Sequence, residues 1–261
     1  MTEEPFLIRS DDKGIVTLVL NRPNARNGLS LGMLGALGAA LAEIEQESSA
    51  RVVILGGAGP AFCAGHDLKE LRGRNYEPAY VDELFALCGE VMQAIVNLSK
   101  PVIARVHGVA TAAGAQLVAS ADLAFAAEDA RFATPGVNIG LFCSTPMVAL
   151  SRNVAPKHAM QMLLSGDLID APTALRFGLV SELAPAAELE ARALAFAKKI
   201  ASKSPLTLAL GKKAFYRQAE LPLAEAYAYT REVMAENLRA QDAREGIAAF
   251  LDKRAPVWTG S

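Results

Sequence analysis

Two stretches of this chain place small residues where an extended segment hands over to a helix: Ala61-Phe62-Cys63-Ala64-Gly65-His66-Asp67-Leu68-Lys69-Glu70 and His107-Gly108-Val109-Ala110-Thr111-Ala112-Ala113-Gly114-Ala115-Gln116. At such junctions the first peptide N–H groups of the helix have no intrahelical acceptor, and they can bind a negative charge. Either stretch alone more commonly marks tight helix packing or a turn; finding two of them is what points to a ligand cradle. Within the two stretches, His66, Thr111 and Gln116 are polar side chains that could face a ligand. Of these only His66 titrates close to neutral pH, although loop histidines more commonly act as hydrogen-bonding groups. Cys63 and Cys143 have no base placed beside them and read as small apolar residues. His107 and His158 lack ligand spacing with any Cys, Asp or Glu cluster, so no metal site is expected.

Holding these loops falls to an alternation of strands and helices. Residues 14–20 read as a strand ended by Asn21-Arg22-Pro23-Asn24, residues 30–47 as a helix, and residues 51–55 as a short buried strand closed by the loop Gly56-Gly57-Ala58-Gly59-Pro60. This order suggests parallel pairing. Leu84, Phe85, Cys88, Val91, Met92 and Ile95 recur at three and four residues and predict a helix over residues 80–98. A strand over 101–106, a small-residue helix over 111–120 and a strand over 122–126 follow. Beyond Pro135 helical patterns dominate, including the stripe Leu189, Ala193, Phe196, Ala197 and Ile200, with Pro205 and Pro222 punctuating later helices. With no low-complexity linker and no internal repeat, an α/β core with a helical C-terminal extension is expected.

The 261 residues, half of them apolar, can bury a sizeable core without disulfide or metal. Twenty-six Lys plus Arg against 28 Asp plus Glu leave a net charge of -2, which argues against nucleic-acid or anionic-membrane partners. Three cysteines, odd in number and far apart, suit a reducing compartment, and the first residues are acidic rather than apolar. The expectation is a cytoplasmic protein, neither secreted nor membrane-spanning. A dinucleotide fingerprint fails because Gly57-x-Gly59 is followed by Phe62 where a third glycine is required. Gly-x-Ser-x-Gly and phosphate-loop motifs are absent.

The first stretch, with its Phe-x-x-Gly-x-Asp loop leading into a helix, and the second as its partner resemble the crotonase (enoyl-CoA hydratase/isomerase) superfamily. The similarity extends through Asn21-Arg22-Pro23 and Asn27, Lys100-Pro101-Val102-Ile103-Ala104, Asp122, Ala130-Arg131-Phe132-Ala133-Thr134-Pro135, Ser165-Gly166-Asp167, Ala174, Gly178-Leu179-Val180 and Glu245-Gly246-Ile247-Ala248-Ala249-Phe250. It runs from about residue 6 to the end, and within the superfamily it is most similar to the subgroup of enoyl-CoA hydratase domain-containing protein three. The resemblance implies an α/β fold, a ββα spiral core over residues 1–205 with a helical C-terminal trimerisation region over 206–261, the two forming one structural unit. It also implies a homotrimer or homohexamer. The implied ligand is an acyl-CoA thioester, with no other cofactor. The N–H groups of His66 and Ala113 would form an oxyanion hole for its carbonyl oxygen. Ala25, Arg26, Ala64, Asp67 and Leu68 would contact CoA, Asn138 and Ser144 would line the substrate site, and Lys253 from a neighbouring subunit would meet the phosphates.

At the two positions where hydratases of this family carry acid-base glutamates, this chain has Gln116 and Gly136, and at a third, aspartate in some relatives, it has Ser144. Gln116 can orient water but cannot exchange a proton near neutral pH. Three outcomes follow from the resemblance: an unconventional acyl-CoA hydratase or isomerase, a decarboxylase or thioester hydrolase, or a non-catalytic acyl-CoA binder that sequesters its ligand or partners an active relative.

Overall fold

The computed structural model describes residues 4–261. Its first strand, β1 (Leu7–Asp12), turns through Lys13 and Gly14 into β2 (Ile15–Leu20) as an antiparallel hairpin. Both turn residues have positive φ, 49° and 82°, the conformation that matches a two-residue turn to the strand twist. β1 escapes the periodicity reading because four of its six residues are polar and five are exposed. α1 (Leu31–Gln46) begins where Ser30 Oγ accepts the Met33 N–H at 3.1 Å, and it buries Met33, Leu34, Leu37, Leu41 and Ile44. β3 (Val52–Gly57) pairs in parallel with β2, as expected, but ends two residues later than predicted. Gly56 and Gly57, expected in a loop, are held in register against Val19 and Leu20.

α2 (Leu68–Gly73) and α3 (Pro78–Asn97) precede β4 (Val102–Val106). Next comes β5 (Val109–Thr111), then α4 (Ala113–Ser120), so residues 109–111, which include the predicted helix start, are strand. The cause is long-range: the Cys63 N–H donates to the Val109 carbonyl and the Thr111 N–H to the Cys63 carbonyl, tying this segment to the first loop. β6 (Leu123–Ala127) and β7 (Arg131–Ala133) follow, then α5 (Ser144–Asn153), α6 (Pro156–Ser165), β8 (Ile169–Asp170), α7 (Ala171–Phe177) and β9 (Glu182–Ala184). The chain ends in α8 (Leu189–Ala201), α9 (Pro205–Gln218), α10 (Leu223–Arg239) and α11 (Gln241–Leu251).

The larger sheet has the order β1-β2-β3-β4-β6-β9, parallel throughout except for β1, and β5-β7-β8 form a second, small sheet. Val52, Val53, Ile54 and Leu55 are buried on both faces of the sheet, which is why they form an unbroken apolar run. α8 lies across β3, β4 and β6 with Leu189, Ala193 and Ala197 buried.

The C-terminal helices are fastened to this core by charge. Lys212 of α9 donates to Asp122 Oδ2 at 2.7 Å and to the carbonyls of Ile95 and Lys100, while Tyr216 Oη donates to Asp122 Oδ1 at 2.9 Å. The last residues return over α9: buried Asp242 accepts from Ser204 Oγ at 2.6 Å, from the Thr259 N–H at 2.7 Å and from the Gly260 N–H. Among the described residues no helix is long and apolar enough to cross a membrane.

Candidate functional site

The first loop is shaped by one side chain. Asn27 is fully buried with φ 55°, a conformation Asn tolerates better than most residues. Its Nδ2 lies 2.9, 2.8 and 3.1 Å from the carbonyls of Ala58, Ala61 and Phe62, and its Oδ1 accepts the Arg22 N–H. Arg22 reaches on to the Gly28 carbonyl and to Asp67 Oδ2, each at 2.9 Å. Asp67 Oδ1 caps α2 by accepting the N–H groups of Lys69 and Glu70. Burial alone would raise the Asp67 carboxyl, yet the Glu70 N–H and the Arg22 guanidinium hold it below the usual range. Both of its oxygens are thus engaged in building the loop.

The direction of the loop's amides follows from its pairing. The Leu29 N–H donates to the Gly65 carbonyl, and the Asp67 N–H donates to the Leu29 carbonyl. In such a parallel bridge the intervening residue turns its own N–H away, and the His66 N–H has no hydrogen-bond partner among the described residues. Across from it, Ala112 is held at φ 50°, ψ −118° by donating to the Ala133 carbonyl, and Ala113 opens α4 with its N–H likewise unpaired. The loops touch: a β-carbon on Gly65, whose φ is 94°, would lie 3.4 Å from the Ala113 nitrogen, and one on Gly114 would lie 2.0 Å from the Cys63 carbonyl oxygen. Glycine at both positions is what allows so close an approach. Two unpaired amides therefore lie on separate segments that touch. An L-residue such as Ala112 in a region favoured by glycine stores about 1–3 kcal/mol of strain.

Six buried side-chain polar atoms lack a partner among the described residues, and five of them belong to the two loops and the segments flanking them. These are His66 Nε2, Glu70 Oε2, Tyr80 Oη, Gln116 Oε1 and Thr134 Oγ1. Such orphans are rare in folded proteins and cluster where a ligand or water completes the set. Glu70 and Thr134 enter the sequence reading only as members of longer runs, and Tyr80 escapes it because nothing local distinguishes it from a core residue. The His66 ring meets Phe85 edge-on at 5.0 Å, with Nδ1 3.4 Å from the Leu29 carbonyl oxygen. Burial pushes its pKa below the ordinary value, partly offset by that carbonyl, so the imidazole is neutral at pH 7. Burial pushes the Cys63 thiol up to about 12 and raises that of Cys143, so both stay protonated, in keeping with their apolar reading.

The other sequence candidates divide. Exposed Arg26 is joined to the first loop through its carbonyl, which accepts the Ala64 N–H, and Ala25 and Leu68 are exposed beside it. Asn138 instead donates to the Gly166 carbonyl at the end of α6, and exposed Ser144 donates to the Phe142 carbonyl at the start of α5. Lys253 is exposed in the turn after α11, a helix that packs on α9 and α10. Gly136 sits in a 3-10 turn, Pro135–Ile139.

Beside Gln116 opens a cavity of about 760 Å³ between α3, α4, α5 and α9. Of the two loop stretches, Gln116 is the residue that lines it.

Comparison with known proteins gives this geometry a family. The sequence profile of the enoyl-CoA hydratase/isomerase family matches residues 10–261. The rat mitochondrial enoyl-CoA hydratase domain-containing protein 3 is 48% identical over 246 residues, covering 94% of this chain and 82% of its own. The crystal structure of human enoyl coenzyme A hydratase domain-containing protein 3 superimposes with a TM-score of 0.94 at 47% identity, covering 98% of this chain and all of its own. An enoyl-CoA hydratase from Mycobacterium smegmatis does so with a TM-score of 0.93 at 50% identity, covering 98% and 99%. The cytoplasmic expectation is corrected by these matches, since the rat, mouse, human and Xenopus relatives are named as mitochondrial proteins. Unpaired cysteines suit a reducing environment and do not distinguish one such compartment from another. The chain belongs to the enoyl-CoA hydratase/isomerase, or crotonase, family.

Proposed function

We propose that the protein binds acyl-CoA thioesters with the thioester carbonyl oxygen between the N–H groups of His66 and Ala113, and acts on them as a hydratase- or isomerase-type enzyme without paired carboxylates. The observation that carries this reading is the pair of unbonded amides on touching loops. Two fixed donors favour the enolate, in which charge on that oxygen grows, and each contributes about 3 kcal/mol to the transition state. Gln116, buried with an unpartnered Oε1, holds water beside the acyl group but takes no proton from it. Losing each acid-base group costs on the order of 10²- to 10⁴-fold, so hydration is slow.

Ala25, Arg26, Ala64 and Leu68 rim the CoA path, and Asp67 serves it by shaping the loop. Asn138, Ser144 and, from a neighbouring subunit, Lys253 complete the proposed contacts. A homotrimer or a hexamer of two trimers, built through the 206–261 region, is supported by the exposed stripe Leu223, Tyr227, Met234 and Leu238 along one face of α10.

A non-catalytic acyl-CoA binder is the second reading, favoured by the crowding at Gly136, where no side chain can be accommodated without displacing backbone. A panel of enoyl-, dienoyl- and malonyl-type CoA esters, assayed for binding and turnover, separates the possibilities. Turnover lost in Gln116→Ala supports the enzyme, with the active ester distinguishing hydratase or isomerase from decarboxylase or thioester hydrolase. Tight binding with no turnover anywhere supports the binder. Failure of every ester to bind overturns both. Arg26→Ala is expected to weaken CoA binding most at low salt.

A further inference from the structure

We infer that a second cavity, at the opposite end of the large sheet from the two loops, binds a small organic carboxylate with the Arg51 guanidinium as its anchor. This inference does not depend on the acyl-CoA reading.

The cavity, of about 380 Å³, opens where β3 and β4 begin. Arg51 directly precedes β3, and Ser99, Lys100 and Pro101 directly precede β4, whereas the two loops follow the far ends of those strands. β3 has six residues, each advancing about 3.3 Å, so roughly 20 Å of strand separates the two places. The remaining walls come from the start of α9 and from the returning tail, Trp258 to Gly260. Asp242 holds that tail by accepting the N–H groups of Thr259 and Gly260, so this side of the cavity is fixed.

Charge on the cavity is unbalanced. Lys100 Nζ lies 3.7 Å from Glu45 Oε2, which also accepts the Ser99 N–H and hydroxyl, so this cation already has its counter-charge. Arg51 makes no ion pair among the described residues. Its side chain has one hydrogen bond to them, from Nη2 to the Lys203 carbonyl, and its Nε is the unpartnered buried atom that lies outside the loops. The guanidinium therefore keeps donors and a positive charge that the protein does not satisfy. The Leu206 N–H, on a neighbouring wall, also lacks an acceptor among the described residues. A carboxylate matches the planar fork of a guanidinium and would supply the missing charge.

The apolar walls decide the rest of the ligand. Pro205, Leu206, Leu208, Ala209 and Trp258 face the cavity, and inorganic phosphate would leave them in contact with water. An alkyl body carried by the carboxylate covers them, and each methylene so buried raises affinity about fourfold. A volume near the lower end of the range for ligand cavities suits a body of a few carbons.

Trp258, the only tryptophan in the chain, lines the cavity, so its fluorescence reports occupancy. The full chain is titrated with hexanoate, hexanamide, acetate and inorganic phosphate. Hexanoate is expected to give a saturable change. Hexanamide, of the same shape without the charge, binds about tenfold more weakly, and acetate, which lacks the alkyl body, on the order of 10²-fold more weakly. Phosphate binds less tightly than hexanoate. Arg51→Met weakens hexanoate by about 10- to 100-fold, and Ala209→Phe, which fills the cavity and leaves its charges in place, abolishes the response. Both variants keep wild-type affinity for a CoA thioester. Should Arg51→Met fail to fold, Ala209→Phe and the hexanamide comparison still decide. Equal affinity for hexanoate and hexanamide, tighter binding of phosphate, hexanoate affinity unmoved by the variants, or no saturable response to hexanoate overturns the proposal.

Discussion

A β-carbon on Gly136 would stand 2.7 Å from the Leu141 carbonyl oxygen and 3.0 Å from Cys143 Sγ, so the backbone leading into α5 already occupies the space a side chain there would need. The absence of a carboxylate at this position is built into the chain path. Gly136→Glu is expected to lower stability by about 2 kcal/mol through overpacking, measured by urea denaturation, and to leave hydration no faster. Gln116→Glu, which faces existing space, is expected to raise crotonyl-CoA hydration by about 10²-fold. Equal gains from both substitutions would contradict this picture.

Strain at Ala112 gives a substitution of the opposite sign. Glycine adopts φ 50°, ψ −118° without penalty, so Ala112→Gly removes about 1–3 kcal/mol of strain while adding up to about 1 kcal/mol of unfolded-chain entropy. A net stabilisation of about 1 kcal/mol is expected, read as a rise in the urea midpoint at unchanged slope. Destabilisation would mean that the conformation of residue 112 is not strained.

The Lys212–Asp122 pair predicts a large loss. Burial lowers the Lys212 pKa and Asp122 partly restores it, so the ammonium is kept charged in a largely buried place by its partner and by two carbonyls. Lys212→Met leaves Asp122 with only its hydrogen bonds from Tyr216 and Val102 and is expected to cost about 3 kcal/mol, seen as a lowered melting temperature. A change below about 0.5 kcal/mol would place the pair with ordinary surface ion pairs.

His66 supplies a pH dependence with a definite sign. Unfolded His66 takes up a proton as pH falls through about 6.5, while the buried imidazole resists protonation until lower pH. In that window the unfolded state binds more protons, so stability falls as pH falls. His66→Gln should flatten the stability profile between neutral pH and the folded pKa. Superimposable wild-type and variant profiles would show that the ring is not held neutral by burial.

Much of the scaffold was legible residue by residue. The apolar spacing through Leu84, Cys88, Val91 and Ile95 predicted α3 to within two residues at its start, and the continuous apolar run at residues 52–55 marked a strand buried on both faces. Motif resemblance pointed to the two loops and to the family. It named Asn27 only as part of a pattern, and only the fold reveals the amide as the clamp that holds Ala58, Ala61 and Phe62 in place. Composition did not carry the compartment, because a net charge of -2 and free thiols suit more than one.

Local order was set by the chain itself: hydrophobic period, capping residues and glycine positions act over a few residues and need no distant partner. Convergence was decided by tertiary structure. Residues 109–111 became strand because Cys63 pairs with them, Gly56 and Gly57 stayed extended because β2 continues beside them, and Met92, Gln116, Ala149 and Phe215 came to line one cavity only once helix packing had brought distant segments together. Register and packing are collective properties of segments far apart in sequence, which no window of neighbouring residues contains.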